Sequence, residues 1–231
     1  MTDFDDHFYR PPMQTTASLM FPARSQQTVR GFIHAKTPAD GRWRQVTYAS
    51  QGERETALLL LAERQLWNIH DQPPPVPYRD IDGRQRTHRF DYLATFMCGQ
   101  AIAVAVKPEK QVLRLRFRET LACIRRDLTP HFAQKIVLVT ERQRHPLEVQ
   151  NAERLNLFRR IEDQAADKIM QDAIAAVQDE VCISHILSQT NLEGRGFRAI
   201  FRAIYDGQLH ADKQKLITPQ SRVVPVKEIE T

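Results

Sequence analysis

The chain has 231 residues, 42% hydrophobic and 26% charged, with a net charge of +5. Domains usually run to roughly 100 to 150 residues, so this length predicts one sizeable core and a second, smaller one. No apolar run approaches the roughly 18 to 20 residues that span a bilayer, and the acidic, proline-bearing opening from Met1 to Pro12 is unlike a secretion signal, which predicts a soluble, cytoplasmic protein with no membrane partner.

Cys98, Cys123 and Cys182 are widely separated and form no C-x-x-C pair, which argues against a disulfide frame and a structural zinc site. The charge is uneven. Residues 1–150 carry 22 Lys and Arg against 16 Asp and Glu, whereas residues 151–231 carry 11 against 12. The stretch from Lys107 to Arg126 concentrates seven cations, Lys107, Lys110, Arg114, Arg116, Arg118, Arg125 and Arg126, against Glu109 and Glu119. Such a cluster suits a phosphate backbone, and a solvated Arg-rich face is the plainer alternative.

Residues 1–27 are polar, contain Pro11, Pro12 and Pro22 and show no period, so they are expected to form a flexible arm that orders on a partner. From residue 28 the pattern changes. Val29 to Ala35 and Arg44 to Tyr48 read as strands joined by a turn around Pro38, Asp40 and Gly41. Ser50 then opens a helix expected over Gln51 to Trp67.

The prolines at 73, 74, 75 and 77 forbid helix, and Asp82-Gly83 between Val76–Tyr78 and Thr87–Phe90 signals a two-residue hairpin turn. Asp91 to Phe96 and Ala101 to Lys107 follow as short strands around Gly99, the second apolar enough to be buried on both faces. Leu113 to Arg118 alternates apolar and basic residues; a helix near Glu119 to Asp127 and a strand over Ile136 to Thr140 come next. This order predicts an α/β sandwich with a sheet covered on both sides.

Residues 147–178 are continuously helix-forming, and the tail reads as helices from about Glu162, over Ile183 to Gln189 and from about Gly196. Phe197, Ile200, Phe201 and Ile204 line one face of the last. Leu209–Ala211 and Val223–Val226 would pair as a wing, giving a winged-helix-like domain over 161–231; a helical cap on the sheet is the alternative.

A metal-dependent phosphodiesterase needs carboxylates to hold Mg²⁺ beside the scissile phosphate and a lysine to activate water and offset developing charge. The candidates are Glu53 on the first helix, Asp91 at the head of a strand and Lys107 at the end of the next. Each has a plain reading as well: Ser50-x-x-Glu53 is a capping-box pattern, Asp91 suits a loop, and Lys107 suits the polar end of a buried strand. His34, His70 and His88 show no ligand spacing with the cysteines, and no nucleophile triad has a local signature.

Five stretches, in order, resemble the TnsA family of transposase endonuclease subunits, a branch of the PD-(D/E)xK nucleases. Tyr48-Ala49-Ser50-Gln51-Gly52-Glu53-Arg54 is similar to the family's Y-E-S-x-x-E-R, Asp71-Gln72-Pro73 to its E-Q-P, and Arg89-Phe90-Asp91-Tyr92-Leu93 to its T-P-D-F-L. Val104-Ala105-Val106-Lys107-Pro108 stands where the family has V-E-V-K-P, and Val137-Leu138-Val139-Thr140-Glu141 resembles its V-T-E strand. The resemblance covers residues 28 to about 160. It implies a restriction-endonuclease-like mixed sheet flanked by helices, with Glu53, Asp91 and Lys107 catalytic, Mg²⁺ or Mn²⁺ as cofactor, and Glu53, Asp91 and the Val106 main-chain carbonyl as ligands.

It further implies cleavage at the 5′ ends of a mobile element in double-stranded DNA, a partner transposase subunit, and a tail that contacts an AAA+ ATPase regulator. Gln72 would support the site without binding the ion, and Lys110, Arg114, Arg116, Arg118, Arg125 and Arg126 would track DNA. The departure is Ala105, which offers no side-chain ligand where the family has Glu or Gln. A catalytically impaired DNA-binding or scaffolding subunit, or a stand-alone nuclease of a restriction or repair system, are the alternatives.

Overall fold

The computed structural model describes residues 11–18 and 29–226. Two strands, β1 (Gly31–Ala35) and β2 (Arg44–Tyr48), form an antiparallel ribbon that leads into helix α1 (Gln51–Leu61). The Ser50 hydroxyl accepts from the Glu53 N–H at 3.2 Å, capping that helix. The helix expected to reach Trp67 stops at Leu61, and Leu66–Asp71 is strand β3. Leu66 and Ile69 enter the same core as Ala57 and Leu61, and pairing along a neighbouring strand outweighs the local helix preference.

Strands β4 (Val76–Arg79) and β5 (Gln85–His88) form a hairpin. Its turn is wider than the two residues expected, because Asp80 Oδ1 accepts from the Asp82 and Arg84 N–H groups at 3.0 and 2.9 Å and so organises a larger loop. Strand β6 (Tyr92–Phe96) then runs antiparallel to β7 (Ala101–Val106). Gly99, at φ +80°, supplies the left-handed residue in the turn between them.

The crossover from β7 to the parallel strand β8 (Lys135–Val139) contains α2 (Glu109–Arg114) and α3 (Phe117–Asp127). The Leu113–Arg118 alternation is therefore not a strand. It spans the end of one helix, a left-handed Arg116 and the start of the next.

These elements make a mixed sheet of order β3-β6-β7-β8 flanked by helices. One face packs Ile69, Tyr92, Ala94 and Val104 against Ala57 and Leu61 of α1 and Val46 of the ribbon. The other packs Ala103, Ala105 and Ile136 against Val112, Phe117, Leu121 and Ile124 of α2 and α3. β7 is apolar on both faces because each is covered, which is why its sequence runs without polar alternation.

The remaining elements are α4 (Pro146–Arg159), α5 (Gln164–Ala175), β9 (Val181–Cys182), α6 (Ile183–Ser188), α7 (Gly194–Tyr205), β10 (Leu209–Ala211) and β11 (Arg222–Pro225). The helix-forming run 147–178 breaks after Arg159. Asp163 caps α5 through the Ala166 N–H at 3.2 Å and is held by Arg195 at 2.7 Å. β10 and β11 pair as expected for a wing, and β9 adds a third strand to give the order β10-β11-β9. Ile200, Phe201 and Ile204 of α7 are buried in a core that also contains Leu58 of α1 and Ala62 just after it, so the helical part shares apolar contacts with the sheet part.

Part of the expected N-terminal arm is built onto this body. The Met13 N–H donates to Trp43 O at 2.8 Å, the Gln45 N–H donates to Met13 O at 2.9 Å, and the Ser18 N–H donates to Gln72 O at 3.1 Å. The hydroxyls of Thr15 and Thr16 both donate to the Asp71 carboxylate. Residues 1–10 and 19–28, and 227–231 at the other end, lie outside the described residues. Among the described residues, no helix is long and apolar enough to cross a membrane.

Candidate functional site

Asp91 sits where β6 and β7 diverge, and four other groups of the chain meet it there. Its Oδ2 accepts from the Val106 N–H at 2.7 Å, so the carboxylate occupies a strand partner's place at the end of β7. An extended residue's carbonyl points the same way as its N–H, which puts the Val106 carbonyl on the Asp91 edge. The Asp91 N–H donates to Val104 O at 3.0 Å, and its own carbonyl accepts from the Gln72 N–H at 2.9 Å, so the backbone is fixed from both sides.

Burial pushes the Asp91 carboxyl up to about 7, and the nearby negative charge of Glu53 adds to the rise. The Val106 N–H, the Lys107 ammonium and the Gln72 amide act against it by favouring the ionised form. Glu53, Gln72 and the adjacent Val106 and Lys107, three separate stretches of the sequence, thus all act on one buried carboxyl.

Glu53 arrives from the first turn of α1 and is nearly buried. Its Oε2 accepts from the Ala49 N–H at 2.8 Å and its Oε1 from the Ser50 hydroxyl at 2.9 Å. Glu53 thus reaches back to the helix start as the capping pattern suggests, though through the Ala49 N–H and the Ser50 hydroxyl and not the Ser50 N–H of a full capping box, and a carboxylate has about four acceptor positions, of which these bonds use two. The buried Tyr92 hydroxyl shares its one proton between Thr47 O at 3.1 Å and Glu53 O at 3.2 Å, tying the start of the helix to the sheet.

Gln72 is one of three non-glycine residues with positive φ among the described residues, at +46°. A left-handed glutamine is uncommon and strained, and such strain gathers at sites where the surroundings dictate the conformation. Here the chain leaves β3 and must turn at once to meet both Asp91 and Ser18.

The Lys107 N–H is held by Val139 O at 3.0 Å, and its Nζ lies 4.9 Å from the centre of the Phe117 ring. His88 stands in the same neighbourhood. Its ring meets Phe90 edge-on at 4.7 Å and lies 5.6 Å from Phe117, and its buried Nε2 has no hydrogen-bond partner. Burial, with the Lys107 charge, lowers His88 to about 4, so it is neutral at pH 7. No local pattern marks His88, because its contacts depend on Phe117 of α3 meeting the same face of the sheet.

Ala105 lies opposite the position of Asp91 in the β6–β7 ladder but is buried among Ala103, Phe90 and Val112, and adds nothing polar. Among the described residues, no three His, Cys, Asp or Glu side chains come together in an arrangement able to hold a metal ion. The acidic pair of Glu53 and Asp91 stands as two.

The basic stretch divides. Lys110, Arg114, Arg116 and Arg118 are exposed on α2, the following turn and the start of α3. Arg125 and Arg126 lie at the far end of α3, where Arg125 donates to Ile136 O at 3.2 Å and Arg126 is bound to Asp127 and to Arg79 O. Cations at a helix C-terminus are also favoured by its dipole, which applies to these two in α3 and to Arg114 in the last turn of α2.

Compared with models of known protein families and with curated proteins, the chain matches none.

Proposed function

We propose that this chain is a divalent-metal-dependent DNA strand cleaver, the endonuclease subunit of a transposase complex that cuts the 5′ ends of a mobile element. The observation that carries the reading is the buried Asp91 carboxyl, raised by burial and by Glu53 and opposed by Lys107. Two desolvated carboxylates beside one another repel, and a cation between them would relieve both burial and repulsion. The five-stretch resemblance to TnsA-type subunits, with a sheet covered on both faces and a three-stranded wing beside three helices, supports the finer fold as a restriction-endonuclease-like domain followed by a winged-helix-like domain.

The residues fit one hard cation held by Glu53, Asp91 and the Val106 carbonyl. Mg²⁺ often takes only one or two carboxylates and fills its octahedron with water and substrate oxygens. Bound there, Mg²⁺ or Mn²⁺ would polarise the scissile phosphate and supply an activated water. The chain's own contribution is to hold Asp91 through Val106 and Gln72, and to bring the Lys107 ammonium to where negative charge develops on the phosphate. Lys110, Arg114, Arg116 and Arg118 offer the phosphate backbone a path beside the site. Double-stranded DNA, a transposase subunit and, through the C-terminal elements, an AAA+ regulator are the partners in this reading, and the cytoplasm its setting.

One observation favours a second reading. Ala105 is buried in apolar surroundings and both Glu53 oxygens have local partners, as in a non-catalytic DNA-binding or scaffolding subunit. The test is Mg²⁺- or Mn²⁺-dependent nicking of element-end DNA by the purified chain with its partner transposase. The nuclease reading expects nicking by the wild type, loss with chelator, and loss of about 10² to 10³-fold in Lys107→Ala. A silent wild type that gains cleavage on Ala105→Glu would establish the scaffold instead.

A further inference from the structure

The turn between α2 and α3 carries two exposed leucines that the cleavage reading does not use. Val112 and Phe117 are buried, 1% and 7% exposed, and pin the turn at both ends. Between them Leu113 and Leu115 stand 67% and 51% exposed, interleaved with the exposed Arg114 and Arg116. α2 ends at Arg114, and Arg116 then takes a left-handed conformation at φ +48° before α3 begins. A bulky residue at positive φ is uncommon, and here it turns the chain between the two helices while both leucines stay exposed.

Lys110 and Arg118 add two further exposed cations on either side of this segment. Two of these cations pair with the acids nearby, Arg116 with Glu119 at 2.8 Å and Arg118 with Glu109 at 3.5 Å, which leaves Lys110 and Arg114 to face a partner. Single exposed leucines are ordinary, but two separated by one residue and flanked by cations make a mixed apolar and basic spot, and a protein-docking patch is usually poor in charge at its centre. Duplex DNA matches the pattern: charged phosphates outside, an apolar stack of bases within. Proteins that bend DNA insert leucine and similar wedges between base steps while cations hold the flanking phosphates. The turn also lies beside the candidate site, since Phe117 at its end carries the Lys107 ammonium over its ring.

We propose that Leu113 and Leu115 form a wedge that enters duplex DNA next to the cleavage position, unstacking a base step and bending the strand toward Asp91 and Lys107. The proposal rests on the nuclease reading and adds a defined deformation of the substrate. It is tested with the full chain and a duplex carrying 2-aminopurine at successive positions, at low salt, with circular dichroism confirming that each variant is folded.

The wild type is expected to bind and to raise 2-aminopurine fluorescence at one step. Leu113→Ser with Leu115→Ser should lose that rise and about tenfold in affinity, with the salt dependence of binding unchanged. Lys110→Gln with Arg114→Gln should instead reduce the slope of log affinity against log salt by about 2. If the leucine variant unstacks DNA as the wild type does, the wedge is refuted and the nuclease reading stands. If the wild type shows no salt-dependent DNA binding at all, both fall.

Discussion

Replacing Asp91 by asparagine is expected to remove strand cleavage, by about 10²-fold or more, and at the same time to make the metal-free protein more stable above pH 7. Asparagine keeps an oxygen for the Val106 N–H but carries no charge to repel Glu53. The sign follows from the raised carboxyl. The folded protein holds the Asp91 proton up to about pH 7, whereas the unfolded chain releases it near 4, so stability falls as pH rises through that interval. Allowing for relaxation around the site, the asparagine variant should gain about 1 to 3 kcal/mol at pH 8 with chelator present.

His88 has the opposite sign over an overlapping interval. Its folded value is lowered to about 4, so its contribution is intact above 6.5 and is lost as pH falls toward 4. Wild-type stability should therefore change little between pH 7 and 4, while Asp91→Asn should lose stability on acidification over the same range. Chemical denaturation across pH measures both. An asparagine variant that is less stable than wild type at pH 8 would mean that Asp91 is a structural acid and not a destabilised functional one.

Arg44→Met is expected to cost about 3 to 5 kcal/mol, the usual penalty for stranding a buried charge. Arg44 is 1% exposed, pairs with Asp40 at 2.8 Å and Asp71 at 3.5 Å, and donates to Ile69 O. Asp71 is fully buried. Burial raises its carboxyl, but bonds from Thr15, Thr16 and Thr47 outweigh that and hold it below the usual carboxylate range. Without Arg44 the charge on Asp71 remains and has only hydroxyls and one N–H to face.

For a chain of this size the loss corresponds to a fall in Tm on the order of 10 °C. Combining Arg44→Met with Asp71→Asn should recover part of it, because the charge that was stranded is then gone. A loss below about 1 kcal/mol for the single variant would mean that the hydroxyls alone satisfy Asp71.

Much of the sheet was legible because its signals are local. The run Ala101 to Val106 reads as a strand covered on both faces, Gly99 marks its turn, and Phe197, Ile200, Phe201 and Ile204 mark α7. β3 was hidden, because Glu63-Arg64-Gln65-Leu66 suits a helix and only pairing with β6 makes a strand beyond it. The left-handed Arg116 was equally hidden: nothing in Leu115-Arg116-Phe117 requires it, and it arises where two helices must both reach the sheet. Glu53, Asp91 and Lys107 are singled out in the sequence by the order of their motifs, and the fold brings the charges of Glu53 and Lys107 to bear on Asp91. His88 and the strained Gln72 were not assigned their surroundings, since each depends on elements that meet only in the folded chain.

The most direct test of the central claim, that Glu53 and Asp91 share one divalent cation, is Mn²⁺ binding to the full chain followed by electron paramagnetic resonance. The wild type should bind one Mn²⁺ that Mg²⁺ displaces, and both Glu53→Gln and Asp91→Asn should lose it while remaining folded. Mn²⁺ binding that survives both substitutions, or a wild type that binds none in the presence of duplex DNA, would contradict the account.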